Sequence, residues 1–296
     1  MNDPRLQGTA PGTPPLISVI APCYNPGTYL EQAIESIYAQ DYPNVEVIIV
    51  DDGSTDGSIE ALRVLQARYG FSLYTQANQG VSAALNTGLA HAQGVYVATP
   101  DLDDIMLPYS LSVRARYLDA HPEVGLVGAL ITYMDEHGVT KKTQQREGIR
   151  QLDFATILAN ESVVGAPVSL YRMTALKAVG GYDPAIRVQD FQITLRIAHH
   201  GLAVHIIPEV VTRYRRHSNN LSKRYKAMLA ADLLAIAPYK DHPQYARGRV
   251  TLINKALKYA VVQDKRDAWR LLRQIPWRLV NRTTLRRVKR LLLHYS

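Results

Sequence analysis

Short apolar segments alternate with segments of helical character between residues 16 and 99, and this alternation limits the folds that the chain can adopt. The apolar segments are rich in β-branched residues and span 16–21, 45–50, 71–76 and 95–99. The helical segments between them span 29–40, 58–69 and 81–92. Strands and helices in this order predict a mostly parallel sheet, flanked by helices and built by right-handed crossovers. We therefore expect an α/β fold whose ligand crevice lies along the carboxyl ends of the strands.

Carboxylates directly follow two of the predicted strands. Asp51 and Asp52 follow the second strand, and Asp101, Asp103 and Asp104 follow the fourth. Carboxylates this close repel one another unless water, a cation or hydrogen-bond donors compensate. Mn²⁺ and Mg²⁺ prefer oxygen ligands, and Mg²⁺ is usually held by one or two carboxylates together with substrate phosphates. The pattern predicts a divalent cation site that also takes a nucleotide diphosphate.

A purely structural interpretation of these carboxylates is also open. Asp103 or Asp104 could cap the helix expected near Leu107, and Asp51 to Ser54 could form a turn that leads into the helix near Ser58. Two acidic strand ends in one sheet favour a shared ligand site, although each turn alone does not require one.

Composition is ordinary for a globular protein, with 47% hydrophobic and 20% charged residues among 296. No apolar run approaches the roughly 20 residues that span a bilayer. Residues 1–15 contain four prolines and no apolar core of a signal peptide, so we expect a flexible tail and a cytoplasmic protein. The one cysteine, Cys23, excludes an intramolecular disulfide and is expected to pack in the core.

Positive charge is concentrated at the end of the chain. Residues 265–296 contain ten Lys or Arg residues and one acidic residue, Asp267. The net charge of this segment, 10 − 1 = +9, exceeds the net charge of +8 for the whole chain. Helical patterning with interleaved Trp and Leu is typical of a helix on an anionic membrane surface. A helical appendage packed on the rest of the protein, with a solvated basic face, would have the same composition. No nucleic-acid-binding motif accompanies the charge, so nucleic acid is not an expected partner.

Several motifs occur together in a fixed order. They comprise residues 17–25, 50–56, 78–88 and 101–104, followed by 180–183, 189–191 and 214–217. In sequence and spacing they resemble the family 2 glycosyltransferases, which have the GT-A fold with a Rossmann-like sheet. The resemblance covers roughly residues 16–222 and implies a catalytic domain there, with a helical basic extension over 223–296.

The resemblance implies an inverting, metal-dependent transfer of a sugar from a nucleotide diphosphate sugar, a UDP-sugar above all, to an acceptor hydroxyl. The acceptor would be a glycan or a lipid-linked molecule in bacterial cell-surface polysaccharide, lipopolysaccharide or glycoconjugate assembly. Such an enzyme could associate peripherally with the inner face of the cytoplasmic membrane through its basic helices. A divalent cation, Mn²⁺ or Mg²⁺, is the implied cofactor.

The resemblance also implies roles for individual residues. The implied metal ligands are Asp103, Asp104 and His217. The implied nucleotide-sugar contacts are Pro22, Tyr24, Asn25, Asp51, Asp52, Asn78, Gly80, Asn86, Asp101, Asp103, Arg215 and Arg216. The stretch from Tyr214 to Asn220 resembles the flexible loop that closes over the diphosphate in this family.

Asp190 is the implied general base, because an acceptor hydroxyl must lose a proton as it attacks. A carboxylate near the start of a helix is equally typical of a cap or a partner of the helix dipole. The chain departs from the family pattern at three positions. Leu85 replaces the usual Arg of an Ala-Arg-Asn triplet, Gln189 replaces the usual Glu before Asp190, and Pro100 precedes Asp101 where an aliphatic residue is usual.

Two other functions remain open. A nucleotidyltransferase has a similar sheet and metal chemistry, but it usually has a glycine-rich basic loop after its first strand, where this chain has Pro22 to Asn25. A non-catalytic nucleotide-sugar-binding or scaffold protein would keep the donor pocket and lack a functional base at Asp190.

Overall fold

The computed structural model describes residues 13–186, 188–217 and 224–293. The chain divides into two compact units. The first unit comprises the chain up to Asp153 together with Val164–His217, and the second comprises Phe154–Val163 together with the chain after His217. Residues 1–12 of the predicted tail and the predicted boundary between residues 222 and 223 lie outside the described residues.

The first unit is built on one sheet with helices around it. Its strands are β1 (Ile17–Cys23), β2 (Val45–Asp51), β3 (Ser72–Thr75), β4 (Tyr96–Ala98), β5 (Ile105–Met106), β6 (Val124–Asp135), β7 (Thr140–Thr143), β8 (Arg150–Leu152), β9 (Leu170–Arg172) and β10 (Ala203–Arg216). Its helices are α1 (Leu30–Tyr38), α2 (Ser58–Tyr69), α3 (Val81–His91), α4 (Ser110–Ala120), α6 (Met173–Ala178) and α7 (Gln189–His199). The helix α5 (Phe154–Leu158) lies between α4 and α6 in the chain and belongs to the second unit.

The strand order is β3-β2-β1-β4-β9-β6-β10-β5, with β7 beside β6 and β8 beside β10. The first four strands are parallel, as the sequence predicts. In the other half of the sheet β9 runs antiparallel to both β4 and β6, whereas β6 and β10 are parallel. Most paired residues lie in parallel ladders, so the fold is a mostly parallel sheet flanked by helices.

Burial explains why the early elements form where the sequence predicts them. All but one residue of β1 is buried, which is the continuous apolar run that a strand covered on both faces requires. The helix α1 buries Leu30, Ala33, Ile34 and Ile37, which lie on one face at helical spacing. Because β1, β2 and β4 are parallel, their carboxyl ends meet at one edge of the sheet.

The strand β10 ends later than the sequence predicts, and this corrects the position of two site residues. Arg215 and Arg216 pair with Met134 and Asp135 of β6, so they lie in a strand and not in a flexible loop. The predicted closing loop continues into residues 218–220, which lie outside the described residues.

The second unit is helical. Its other helices are α8 (Tyr225–Ile236), α9 (Tyr245–Gln263), α10 (Lys265–Leu272) and α11 (Arg282–Leu293). The long helix α9 contacts α8, α10 and α11, and its buried residues form the centre of the apolar core. Among the residues that the structure describes, no helix combines the length and apolarity required to cross a bilayer.

The segment Phe154–Val163 packs against α9 and its preceding turn within the second unit. The Phe154 ring lies edge-on to Tyr239, with ring centroids 5.0 Å apart. Lys255 donates to the Asn160 side chain, and Arg247 pairs with Glu161 at 2.7 Å. Gly248 lets α9 approach the backbone of Leu158, because a Cβ at this position would overlap the Leu158 carbonyl.

Candidate active site

Three carboxylates converge in the turn between β4 and β5. Asp101, Asp103 and Asp104 each offer an oxygen, and these oxygens all lie within 4.8 Å of one another. The backbone N–H of Asp104 donates to the Asp101 carbonyl at 3.2 Å, which closes the turn. The chain therefore presents a set of hard oxygen ligands at the carboxyl end of a central strand.

Asp104 fits a cation ligand because one of its oxygens is buried and unsatisfied. The residue is 3% exposed. Its Oδ1 accepts from the backbone N–H of Arg215 at 2.7 Å. Its Oδ2 has no hydrogen-bond partner among the described residues. Burial raises the pKa of Asp104, and the charges of Asp103 and Asp101 raise it further. A buried carboxylate oxygen of this kind is costly without a donor or a cation, so the residues of the acidic turn fit a divalent cation.

Asp190 lies close enough to the acidic turn to act on it electrostatically. Burial raises the pKa of Asp101, and the charges of Asp103 and Asp190 raise it further. Asp190 occupies the first turn of α7, where its Oδ1 accepts from the backbone N–H of Phe191 at 2.7 Å. The position is thus compatible with both predicted roles, the helix-terminal contact and the base beside a cation site.

Arg215 braces the acidic turn and does not extend toward a ligand. Its Nε donates to the Asp103 carbonyl at 2.8 Å, and its two terminal nitrogens donate to the Glu136 carbonyl and to the Gln32 side chain. The guanidinium also lies over the Tyr29 ring, 4.5 Å from its centroid. Because these donors are used internally and the residue is only 2% exposed, the predicted phosphate contact from Arg215 is not what the structure presents.

Arg216 and His217 differ from Arg215 in their surroundings. The exposed Arg216 lies over the Tyr133 ring at 3.9 Å from its centroid. His217 places Nε2 2.9 Å from Asp103 Oδ2, and its ring lies 5.2 Å from that of Tyr29. His217 therefore contacts Asp103, one of the predicted metal ligands. The carboxylate oxygen that groups with those of Asp103 and Asp104 comes from Asp101.

The two carboxylates after β2 have different partners. Asp52 accepts three hydrogen bonds, from Gln76 Nε2 at 2.8 Å and from the backbone N–H groups of Gln79 and Gly80 at 2.9 and 2.8 Å. Asp51 accepts only from the Ser54 N–H at 3.2 Å, and its buried Oδ1 has no partner in the described part of the chain. Asp51 therefore retains an acceptor for a ligand, whereas Asp52 is used to hold the 76–80 loop.

The loops after β1 and β2 are tied together beside Asp51. Asn25, with a positive φ of 51°, accepts from the Thr55 N–H at 2.8 Å, and its own N–H donates to the Ser54 hydroxyl. Tyr24, next to it, has an exposed ring that a flat ligand can reach. Pro22 lies within β1 and pairs with Val50, so it contributes only backbone to this edge.

The side-chain amide of Asn86 supports the backbone at Tyr182. Its Nδ2 donates to the Tyr182 carbonyl at 2.7 Å, and its Oδ1 accepts from the Tyr182 N–H at 2.9 Å. These bonds give Asn86 a structural function, and its predicted ligand contact stays a prediction. Asn78 is exposed, and Gly80 is used through its N–H to Asp52.

Tyr214 is a site residue that the sequence did not indicate. It is half-buried in β10, and burial raises its pKa, with Asp101, Asp104, Asp103 and Asp190 each adding to the rise. The Tyr214 phenol therefore stays protonated near these carboxylates and can donate a hydrogen bond. The sequence feature that could have indicated Tyr214 is its position in the 214–217 motif, directly before Arg215.

The sheet order and the acidic turn define the class of protein, an α/β protein of the GT-A type. The chain belongs to a named family within that class, because the model for "Glycosyl transferase family 2" matches residues 18–180, more than half of the sequence.

Two relatives extend the similarity beyond the matched region. The putative glycosyltransferase EpsE of Bacillus subtilis is 30% identical over 219 residues, which cover 71% of this chain and 76% of EpsE. The amylovoran biosynthesis glycosyltransferase AmsE of Erwinia amylovora is 29% identical over 213 residues, or 71% of this chain and 79% of AmsE.

Solved structures of distant sequence share the fold. S. aureus TarS 1-349 in complex with UDP-GlcNAc has a TM-score of 0.66 at 19% identity, with 89% of this chain and 82% of that chain covered. The mannosyltransferase PcManGT from Pyrobaculum calidifontis, in complex with GDP-Man and Mn²⁺, has a TM-score of 0.61 at 22% identity, with 98% and 90% covered.

Proposed function

We propose that this chain is an inverting glycosyltransferase that moves a sugar from a nucleotide diphosphate sugar to an acceptor hydroxyl in polysaccharide or glycoconjugate assembly. The observation that supports it best is the grouping of Asp101, Asp103 and Asp104 within 4.8 Å, with a buried and unsatisfied Asp104 Oδ2. Family membership and relatives such as AmsE, an amylovoran biosynthesis enzyme, support the type of reaction and the pathway class.

The nucleoside end of the donor is proposed to lie along the β1 and β2 loops. Asp51 Oδ1 is a buried acceptor without a partner in the described chain, so it can accept from a base N–H or a ribose hydroxyl. The exposed Tyr24 ring offers a face for stacking. A UDP-sugar is the preferred donor, and a GDP-sugar is the second candidate because PcManGT was solved with GDP-Man.

The acidic turn is proposed to hold Mn²⁺ or Mg²⁺, with Asp101, Asp103 and Asp104 as ligands and His217 oriented against Asp103. A bound divalent cation neutralises negative charge on a departing diphosphate. Arg215 keeps the turn in shape through its bond to the Asp103 carbonyl. This function of Arg215 replaces the phosphate contact that the sequence predicted.

Asp190 is proposed to take the proton from the acceptor hydroxyl. Its charge helps to raise the pKa of Asp101, one of the proposed cation ligands, and it is half-buried at the start of a helix, which supports this role. A base opposite the leaving group permits direct displacement, which inverts the sugar carbon. The acceptor is proposed to be a glycan or a lipid-linked molecule, handled at the inner face of the cytoplasmic membrane.

The decisive test is a panel of nucleotide sugars with Mn²⁺ or Mg²⁺, measured by thermal stabilisation and by hydrolysis of the donor. We expect one donor to raise the melting temperature of the wild type. Asp104→Asn should lose this stabilisation, and Asp190→Asn should keep it while losing turnover. Asp241→Asn, an exposed carboxylate in the second unit, is the matched control and should behave as wild type.

The same panel separates the alternatives. Donor binding by wild type without turnover, unchanged in Asp190→Asn, would favour a nucleotide-sugar-binding or scaffold protein. Release of pyrophosphate from a nucleoside triphosphate and a sugar phosphate would favour a nucleotidyltransferase. Stabilisation by no nucleotide sugar under either cation would contradict the proposal.

A further inference from the structure

We propose that the second unit docks on an anionic lipid bilayer, with Trp277 and the exposed leucines of α11 in the interface and the surrounding basic side chains on the lipid headgroups. We call the residues from Lys265 to Leu293 the basic surface segment. The inference deepens the membrane location given under the proposed function, but it rests on the second unit alone. It can therefore fail while the transferase proposal stands.

Charge supplies the first argument. The basic surface segment contains Lys265, Arg266, Arg270, Arg273, Arg278, Arg282, Arg286, Arg287, Lys289 and Arg290. Its one acidic residue, Asp267, is buried and paired with Arg270. A surface of this charge attracts anionic lipid headgroups and weakens as salt increases.

Trp277 supplies the second argument, because the fold displays it to solvent. Its neighbours Ile275 and Leu279 belong to the apolar core of the second unit or pack against it. Trp277 itself is 78% exposed. The Arg278 guanidinium lies 5.1 Å from the centre of its ring, so an aromatic ring and a cation are presented together. This pairing is typical of membrane interfaces, where an indole lies at headgroup depth.

The helix α11 supplies the third argument. It is anchored on one side, where Leu291 is buried and Thr284 accepts from Asn254 Nδ2 at 3.0 Å. Leu285 and Leu292 lie seven residues apart, hence on one side of the helix, and are 58% and 55% exposed. Lys289 lies between them in sequence and adjoins their stripe. The helix therefore presents an apolar stripe bordered by positive charge while its other side is held in place.

The combination favours a bilayer over nucleic acid. Phosphate groups of nucleic acid would satisfy the basic side chains, but they would leave Leu285, Leu292 and Leu293 exposed to water. A bilayer surface contacts both kinds of group at the same depth. With 12 residues, α11 is suited to lie in the interface.

The two tryptophans of the chain, Trp269 and Trp277, both lie in the basic surface segment, so tryptophan emission, excited at a wavelength that the 18 tyrosines do not absorb, reports on this surface alone. We would mix full-length protein with vesicles of phosphatidylcholine, with and without 30% phosphatidylglycerol, and measure cosedimentation and emission wavelength. We expect binding and a blue shift with the anionic vesicles, and at least tenfold weaker binding without the anionic lipid. A Trp269→Phe variant, in which Trp277 is the only reporter, should keep the blue shift.

Two charge-reversal variants test the assignment to this surface. Arg286→Glu, Lys289→Glu and Arg290→Glu together should reduce vesicle binding at least tenfold. The matched control reverses three exposed cations of the first unit, Arg63→Glu, Arg116→Glu and Lys142→Glu, for the same change in net charge, and should bind like wild type. Melting temperature and donor hydrolysis without vesicles should be similar in both, which separates membrane docking from folding and from transfer.

Three results would overturn the proposal. These are an absence of binding to anionic vesicles at low salt, binding without any change in Trp277 emission, and equal loss of binding in the two triple variants. Tighter binding to RNA or DNA than to vesicles at equal ionic strength would overturn it in favour of nucleic acid. A Trp277→Ser variant should bind the anionic vesicles more weakly than wild type and show a smaller blue shift. Its melting temperature should be unchanged.

Discussion

The backbone N–H of Arg215 donates to Asp104 Oδ1 at 2.7 Å, which joins the end of β10 to a turn that lies 111 positions earlier in the chain. The same residue holds the Asp103 carbonyl through its side chain. One arginine therefore holds the Asp104 carboxylate and the Asp103 backbone, which fixes the geometry of the acidic turn before any ligand arrives.

Arg215→Lys should loosen this turn while keeping the positive charge. Lysine cannot reproduce the fork that reaches Asp103, Glu136 and Gln32, so we expect a loss of about 1–3 kcal/mol in the free energy of unfolding. Mn²⁺ affinity should fall as well, by about tenfold or more. Urea unfolding and a Mn²⁺ titration measure the two effects. Arg216→Lys is the matched control, and equal effects from both variants would contradict the bracing function.

Asp104→Asn should separate stability from ligand binding. The amide keeps an oxygen for the Arg215 N–H but removes one of three repelling charges, so the cation-free protein should be as stable as wild type or more stable. Cation-dependent stabilisation by the donor should disappear. Thermal unfolding with and without Mn²⁺ is the measurement, and preserved donor stabilisation would exclude Asp104 as a ligand.

Asp51 and Asp52 are adjacent and should respond in opposite ways. Asp52→Asn weakens three partly buried hydrogen bonds, including two from the 79–80 backbone, so we expect about 1–3 kcal/mol of destabilisation. Asp51→Asn changes an oxygen with no partner in the described chain, so stability should change little while donor affinity falls. Chemical denaturation and donor titration of both variants test this pair. A large stability loss in Asp51→Asn would mean that its Oδ1 has a structural partner.

Cys23 should resist thiol reagents until the protein unfolds. Burial raises the pKa of its thiol from 9.0 to about 12, so the reactive thiolate is scarce in the folded state. The folded thiol keeps its proton between pH 9 and 12 whereas the unfolded thiol loses it, so this group's contribution to stability declines as the pH rises through that window. Alkylation rates at pH 8 with and without urea test the first point. The urea midpoint of wild type should fall more steeply from pH 9 to pH 11 than that of Cys23→Ala, and parallel slopes would contradict the assignment.

Local patterning predicted the first half of the sheet because its strands are apolar, and helical segments lie between them. The later strands were harder to predict, since β5 has two residues and β8 and β9 have three each. Segments this short have no detectable periodicity, and their pairing depends on distant partners. The antiparallel placement of β9 between β4 and β6 is therefore a property of the tertiary structure.

The acidic turn could be predicted as a group because its three carboxylates are neighbours in sequence. Their supporting contacts could not be predicted in the same way. Asp52 and Asn86 resemble ligand-binding residues in a motif, but the partners of Asp52 lie 24 to 28 positions away and the partner of Asn86 lies 96 positions away. Whether a polar side chain faces a ligand or a loop is decided by such distant partners, and a motif does not record them.

The helical unit is assembled from two separate stretches of chain, because Phe154–Val163 packs there with α9 and its preceding turn. Cutting the chain after residue 222 would consequently remove most of the helical unit and leave Phe154–Val163 behind. The cut would expose Ile157 and Leu158, which are fully buried in the intact chain. The remaining protein would then carry an exposed apolar segment that favours aggregation. The helical unit is therefore not a contiguous segment that a single cut could separate, because part of it lies between β8 and β9 in the chain.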